Sequence, residues 1–197
     1  MTHQPEFAVT NIITSNDKEI PQDTLIKVGL GSVPGTVSIH VQLPGQNDWR
    51  VYTDLPIVGG KVVLPVKLVF LCHAKEDVSF VRNLAAKLLQ DGFICWFDEK
   101  ALLPGDHWKS KIDRAIDQSD FVIVFLSSNS VNKIGYVQRE IKYALEKQKL
   151  RPEGARYIIP LIINDCKIPM SFEDIHWLRV EPNEEWYLTL KTSLDTH

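Results

Sequence analysis

The sequence predicts an α/β protein: a parallel sheet flanked by helices over residues 67–197, preceded by a small antiparallel all-β domain over residues 1–66. Three observations predict it. After Lys67, short apolar runs alternate with stretches whose apolar residues recur every three or four positions, so strands and helices take turns. The apolar runs are continuous rather than alternating, as in strands covered by helices on both faces. Before Lys67, β-rich runs are broken by Pro-Gly and Gly-Gly pairs, which reads as short strands joined by turns.

The first part yields five candidate strands, at residues 7–13, 24–30, 36–43, 49–53 and 61–66. Residues 36–43, Thr-Val-Ser-Ile-His-Val-Gln-Leu, alternate with period two, the mark of a strand with one buried face. Pro34-Gly35, Pro44-Gly45 and Gly59-Gly60 supply the turns. Such a unit fits a small sandwich or barrel. Its core is marginal by size, so it is expected to pack on its neighbour or on a second copy.

In the second part, residues 68–72 form the first strand, and Val78, Val81, Leu84, Ala85 and Leu88 mark a helix ending near Gly92. Then come a strand at 93–97, a helix at 108–116 and a strand at 121–126. Residues 131–150 read as the longest helix, 157–163 as a buried strand, 175–180 as a short strand and 186–194 as a final helix. Ligands of parallel sheets bind beyond the carboxyl ends of the strands. That rule points to residues 72–77, 97–106 and 127–135 as the functional rim.

Composition narrows the classes. With 197 residues, 44% of them hydrophobic, 24% charged and a net charge of −3, the chain has no electrostatic case for nucleic acid. No apolar run approaches the roughly 18 residues of a membrane helix, and the N-terminus reads as no signal peptide. Cys72, Cys95 and Cys166 lie far apart in or beside apolar runs, so reduced thiols and a cytoplasmic location are expected. The six histidines show no metal-ligand spacing, and no metal site is expected.

The rim carries the motifs that point to a family. Val69-Phe70-Leu71-Cys72-His73-Ala74-Lys75-Glu76-Asp77 is a strand running into a turn with an acidic residue. Trp96-Phe97-Asp98-Glu99 is followed by Leu103-Pro104-Gly105-Asp106, and Ser127-Ser128-Asn129-Ser130-Val131 by Gly135-Tyr136-Val137-Gln138-Arg139-Glu140-Ile141. Ile159-Pro160-Leu161-Ile162 and residues 172–177 close the series. In this order and spacing the chain resembles a Toll/interleukin-1 receptor (TIR) domain of the bacterial, NAD-cleaving kind. The resemblance implies a flavodoxin-like, five-stranded parallel sheet. It covers about 125 residues and leaves residues 1–66 outside. Cys72 stands where a Ser is common and Ala74 is minimal, so a hydroxyl contact there is expected to be lost. Tyr136 replaces the usual Trp and keeps an aromatic face.

The resemblance gives Glu140 the catalytic role, with NAD as substrate and no cofactor. On a helix, Val137, Ile141, Ala144 and Leu145 form the buried stripe, with Glu140 at its edge, half-desolvated. A solvated surface glutamate is the competing reading. Trp96 and Tyr136 are candidate walls against the nicotinamide, with core packing as the alternative. His73, Ala74, Asp77, Asp98 and Ser127 are candidate substrate contacts. A solvated turn competes for His73 and Asp77, and helix capping for Ser127. Leu102, Leu103, Pro104 and Gly105 make an apolar loop that the resemblance assigns to self-association; tucking onto the domain's own core is the alternative.

The expected activity is therefore cleavage of the nicotinamide–ribose bond, giving ADP-ribose or a cyclic isomer, in a self-associating bacterial immune effector directed against phage. Residues 1–66 are left to an unknown activator or partner. The alternative is a non-enzymatic module working through TIR–TIR contact. A receiver domain fits poorly, because Cys72-His73 and Ser127-Ser128 occupy the places of its acidic residues.

Overall fold

A computed structural model describes residues 11–14, 25–42, 49–64, 67–97, 108–132 and 136–196. These residues divide into two compact units, the first ending at Lys67 and the second beginning at Leu68.

The N-terminal unit is a five-stranded sheet among the described residues. β1 (Asn11–Thr14), β2 (Leu25–Leu30), β3 (Thr36–Gln42), β4 (Arg50–Val58) and β5 (Lys61–Leu64) are arranged in the order β1-β5-β4-β3-β2. β2 to β5 are antiparallel neighbours, as expected. β1 departs from the expectation by lying parallel to β5, so the sheet is mixed. The reason is topological: β1 reaches its partner only after the chain has run through the whole β2–β5 meander, so no hairpin sets its direction. β3 alternates as its sequence says, with Val37, Ile39 and Val41 buried. Gly59 and Gly60 both have positive φ, 58° and 77°, the two-residue loop that joins β4 to β5 without splaying them. The β2–β3 turn is held by Asp54, whose carboxylate accepts from Ser32 N, Ser32 Oγ and Val33 N at 2.6, 2.8 and 3.1 Å.

The second unit is a parallel sheet of β6 (Lys67–Cys72), β7 (Phe93–Trp96), β8 (Phe121–Leu126), β9 (Ile158–Ile162) and β10 (Leu178–Arg179). Its described helices are α1 (Val78–Gln90), α2 (Trp108–Gln118), α3 (Ser128–Val131), α4 (Tyr136–Lys149) and α5 (Glu185–Asp195). The strand order β10-β9-β8-β6-β7 places the first strand beside both the second and the third. Chain direction across the sheet therefore reverses at β6 and β8, the switch point where such sheets open a crevice. The helix expected over 131–150 is α4, which begins at Tyr136, while Val131 belongs to α3, a short helix capped by Ser127.

Two apolar layers cover the sheet. Val69 and Leu71 of β6 pack with Phe93 and Cys95 of β7 and with α1 and α5, through Val81, Leu88 and Leu190 among others. Alternation sends Phe70 and Cys72 to the opposite face, where Phe70 stacks on Trp96 and Cys72 meets α4. Among the described residues no helix is long and apolar enough to cross a membrane.

Candidate active site

Among the described residues the rim at the switch point has two polar centres. The first is Glu140, one turn into α4. It is only 8% exposed and lies among the buried Val137, Ile141 and Ala144. Its burial goes beyond the edge position expected: Leu145, not Glu140, is the half-buried member of the stripe. The reading as a solvated glutamate does not hold.

What meets Glu140 is the end of β6. Cys72 Sγ stands 3.4 Å from Glu140 Oε2 and 3.9 Å from the Val137 carbonyl oxygen. In place of a hydroxyl, this position carries a thiol that contacts Glu140. Burial, and then the neighbouring Glu140, push the Cys72 thiol well above its ordinary pKa, so it carries its proton and acts as a donor.

Trp96 shares this face of the sheet. Its ring stacks on Phe70 at a centroid distance of 5.0 Å and an interplanar angle of 17°, and it is 9% exposed. One face of the indole is thus committed to packing. Ala74 is buried as well. Tyr136 opens α4 four residues before Glu140; its side chain lies outside the described residues, as do Asp98 and the loop Leu102, Leu103, Pro104 and Gly105.

The second centre joins β6 to β8. Asp77, in the turn between β6 and α1, is buried; Oδ2 accepts from Ser127 Oγ at 2.6 Å and Oδ1 from Asn129 Nδ2 at 2.8 Å. Asp77 is therefore no solvated turn. Ser127 takes the capping role: its Oγ accepts from Asn129 N and Ser130 N while Ser130 Oγ accepts from Ser127 N. Asn164, after β9, accepts from Ser128 N and ties a third strand end to the cluster. Sequence reading missed Asn129, Ser130 and Asn164. Only the S-S-N-S run after an apolar strand hinted at a cap.

His73 belongs with neither centre. Its Nδ1 is 3.0 Å from the Leu71 carbonyl oxygen, which can only accept, so Nδ1 carries the hydrogen in this arrangement. The ring packs edge-on to Phe97 and Phe125, on the α1–α5 side of the sheet, away from the Cys72 face.

A family model described as TIR domain matches residues 69–191, the whole of this sheet and its helices to within a few residues. The chain belongs to the TIR-domain family. A relative named NAD(+) hydrolase TcpA, from Theionarchaea archaeon (strain DG-70-1), is 37% identical over 94 residues, 47% of this chain and 27% of its own length. Another, named 2′ cyclic ADP-D-ribose synthase BtTIR, from Bacteroides thetaiotaomicron, is 30% identical over 128 residues, 64% of this chain and 41% of its own. The matched part of this TIR protein thus spans less than half the length of those relatives. The TIR domain of the Toll-related receptor TRR-2 from Hydra magnipapillata shares the fold, with a TM-score of 0.53 and 22% identity over 64% of this chain and 98% of that one.

Proposed function

We propose that this TIR domain cleaves the bond between nicotinamide and ribose in NAD, with Glu140 as the catalytic carboxylate. The observation that carries the reading is Glu140 itself: an acid buried among apolar residues at the switch-point rim, where it meets the end of β6. Desolvated acids at such a rim are common where chemistry is done.

One carboxylate suffices for this reaction. The C1′–N bond breaks and its electron pair leaves with nicotinamide, which is neutral once departed, so no general acid is required. Ordinary glycoside hydrolysis needs a second carboxyl because its leaving oxygen must be protonated. The positive charge that develops on the ribose is stabilised by Glu140 in a site of low dielectric. Water adding at C1′ gives ADP-ribose and releases a proton; capture by another atom of the same molecule gives a cyclic isomer. Relatives that carry both kinds of name support the reading and leave both products open.

We place activity in self-associated protein, with the loop Leu102–Gly105 as contact surface, and the setting in bacterial defence against phage. Both rest on the sequence resemblance. The test incubates the full chain with NAD, dilute and concentrated, beside Glu140→Gln, and follows nicotinamide and ADP-ribose species by chromatography and mass spectrometry. Nicotinamide release lost in Glu140→Gln supports the enzyme. No release from protein that light scattering shows to be assembled favours a non-enzymatic assembly module.

A further inference from the structure

We propose that Cys72 is a positioning residue for Glu140: its thiol donates to Oε2 and holds the carboxylate in a fixed orientation at the end of β6. The inference deepens the NAD-cleavage reading and rests on it.

The geometry starts from the strand. Cys72 is the last residue of β6, 1% exposed, and its backbone is paired in register with Val124 of β8. The sulfur is therefore placed by a strand paired into the sheet, not by a loop. Glu140 reaches the same point from α4 on a side chain with three rotatable bonds. A site works when such a group is held by a donor that is itself locked. Two acceptors lie within reach of the thiol, Glu140 Oε2 at 3.4 Å and the Val137 carbonyl at 3.9 Å. The carboxylate is both nearer and the stronger acceptor.

The thiol is suited to this and to little else. It is buried, so it is closed to solvent oxidants. It also keeps its proton, because burial and the adjacent carboxylate both oppose a thiolate. An S–H is a weaker donor than an O–H. A cysteine here therefore orients the carboxylate while quenching less of its negative charge than a serine does. Donors to the charged form lower a carboxyl pKa and their loss raises it. Cys72→Ser strengthens the donor to Glu140 and Cys72→Ala removes it, two opposite changes that a packing role does not make.

The experiment compares full-length wild type, Cys72→Ser, Cys72→Ala and Glu140→Gln with NAD as substrate, and records kcat and the acid limb of kcat/KM against pH. Cys72→Ser is expected to keep kcat within about threefold and move the acid limb down in pH. Cys72→Ala is expected to move it up and lower kcat about tenfold, the scale of one lost hydrogen bond. The S–H stretching band, assigned by the infrared difference between wild type and Cys72→Ala or Cys72→Ser, is expected to shift in Glu140→Gln. That band needs no activity and serves when the alanine variant folds poorly. Acid limbs that coincide in wild type, Ser and Ala variants, or an S–H band unmoved in Glu140→Gln, overturn the proposal while active wild type and inactive Glu140→Gln leave the NAD reading intact. Wild type that releases no nicotinamide even when assembled overturns both.

Discussion

Ser127 Oγ donates to Asp77 Oδ2 at 2.6 Å and so joins the end of β8 to the turn after β6. The same oxygen accepts the Asn129 and Ser130 amides. One hydroxyl thus satisfies a buried carboxylate and caps α3. Ser127→Ala removes both functions and leaves Asp77 with one donor fewer in a site sheltered from water. A lost cap and an undersupplied buried acid cost about 2 kcal/mol together. Urea denaturation followed by circular dichroism should show a lower midpoint with an unchanged slope.

Glu140→Gln should separate function from stability. The amide fits the same space and keeps an oxygen that accepts from Cys72, while the cost of burying a charge disappears. The variant is therefore expected to fold, which circular dichroism checks. Nicotinamide release is expected to fall by about 10²- to 10³-fold, the scale set by removing one electrostatic stabiliser of a transition state. A variant that loses activity and stability together would assign Glu140 a structural role instead.

The fold was legible because its cues are local. Continuous apolar strands such as residues 121–126 and the spacing of Val81, Leu84, Ala85 and Leu88 declare buried strands and an amphipathic helix without reference to the rest of the chain. The parallel placement of β1 was not legible, because it depends on a partner some fifty residues away. At the site, Glu140 stood out through its motif, while the depth of its burial depends on how α4 rolls against β6. The Cys72 contact was hidden for a chemical reason. Expecting an oxygen donor at this place treats a thiol as silent, although sulfur reaches farther than oxygen and still donates. His73 lies apart from Cys72 because neighbouring residues at a strand end point to opposite faces.

Asp91, just past α1, accepts from Tyr187 Oη at 2.5 Å and from Lys191 Nζ at 2.7 Å, tying α1 to α5. The bond to Lys191 first, and then that to Tyr187, holds its carboxyl below the ordinary value of 3.8. A folded pKa below the unfolded one means stability that is present above the unfolded value and lost as pH falls through the folded value. Asp91→Asn is expected to cost about 1 kcal/mol at neutral pH, discounted for partial exposure. The difference from wild type should shrink below about pH 4. Parallel thermal melts at pH 7 and pH 3 check both points, and an equal gap at the two pH values would count against the ion pair.

Trp96 can serve the substrate only with the part of its ring that Phe70 does not cover, and the two roles respond differently to substitution. Trp96→Ala removes the ring from a stack at 5.0 Å and opens a cavity beside β6, which should cost about 3–5 kcal/mol. Trp96→Phe keeps an aromatic partner for Phe70 and should cost about 1–2 kcal/mol less than that. Because the indole is 9% exposed, packing is expected to dominate: Trp96→Phe should retain most of its nicotinamide release, with KM for NAD close to wild type. A KM raised tenfold or more, about 1.4 kcal/mol of binding, at nearly unchanged stability would instead put the indole against the substrate. Measuring unfolding midpoints and KM on the same preparations decides between the two.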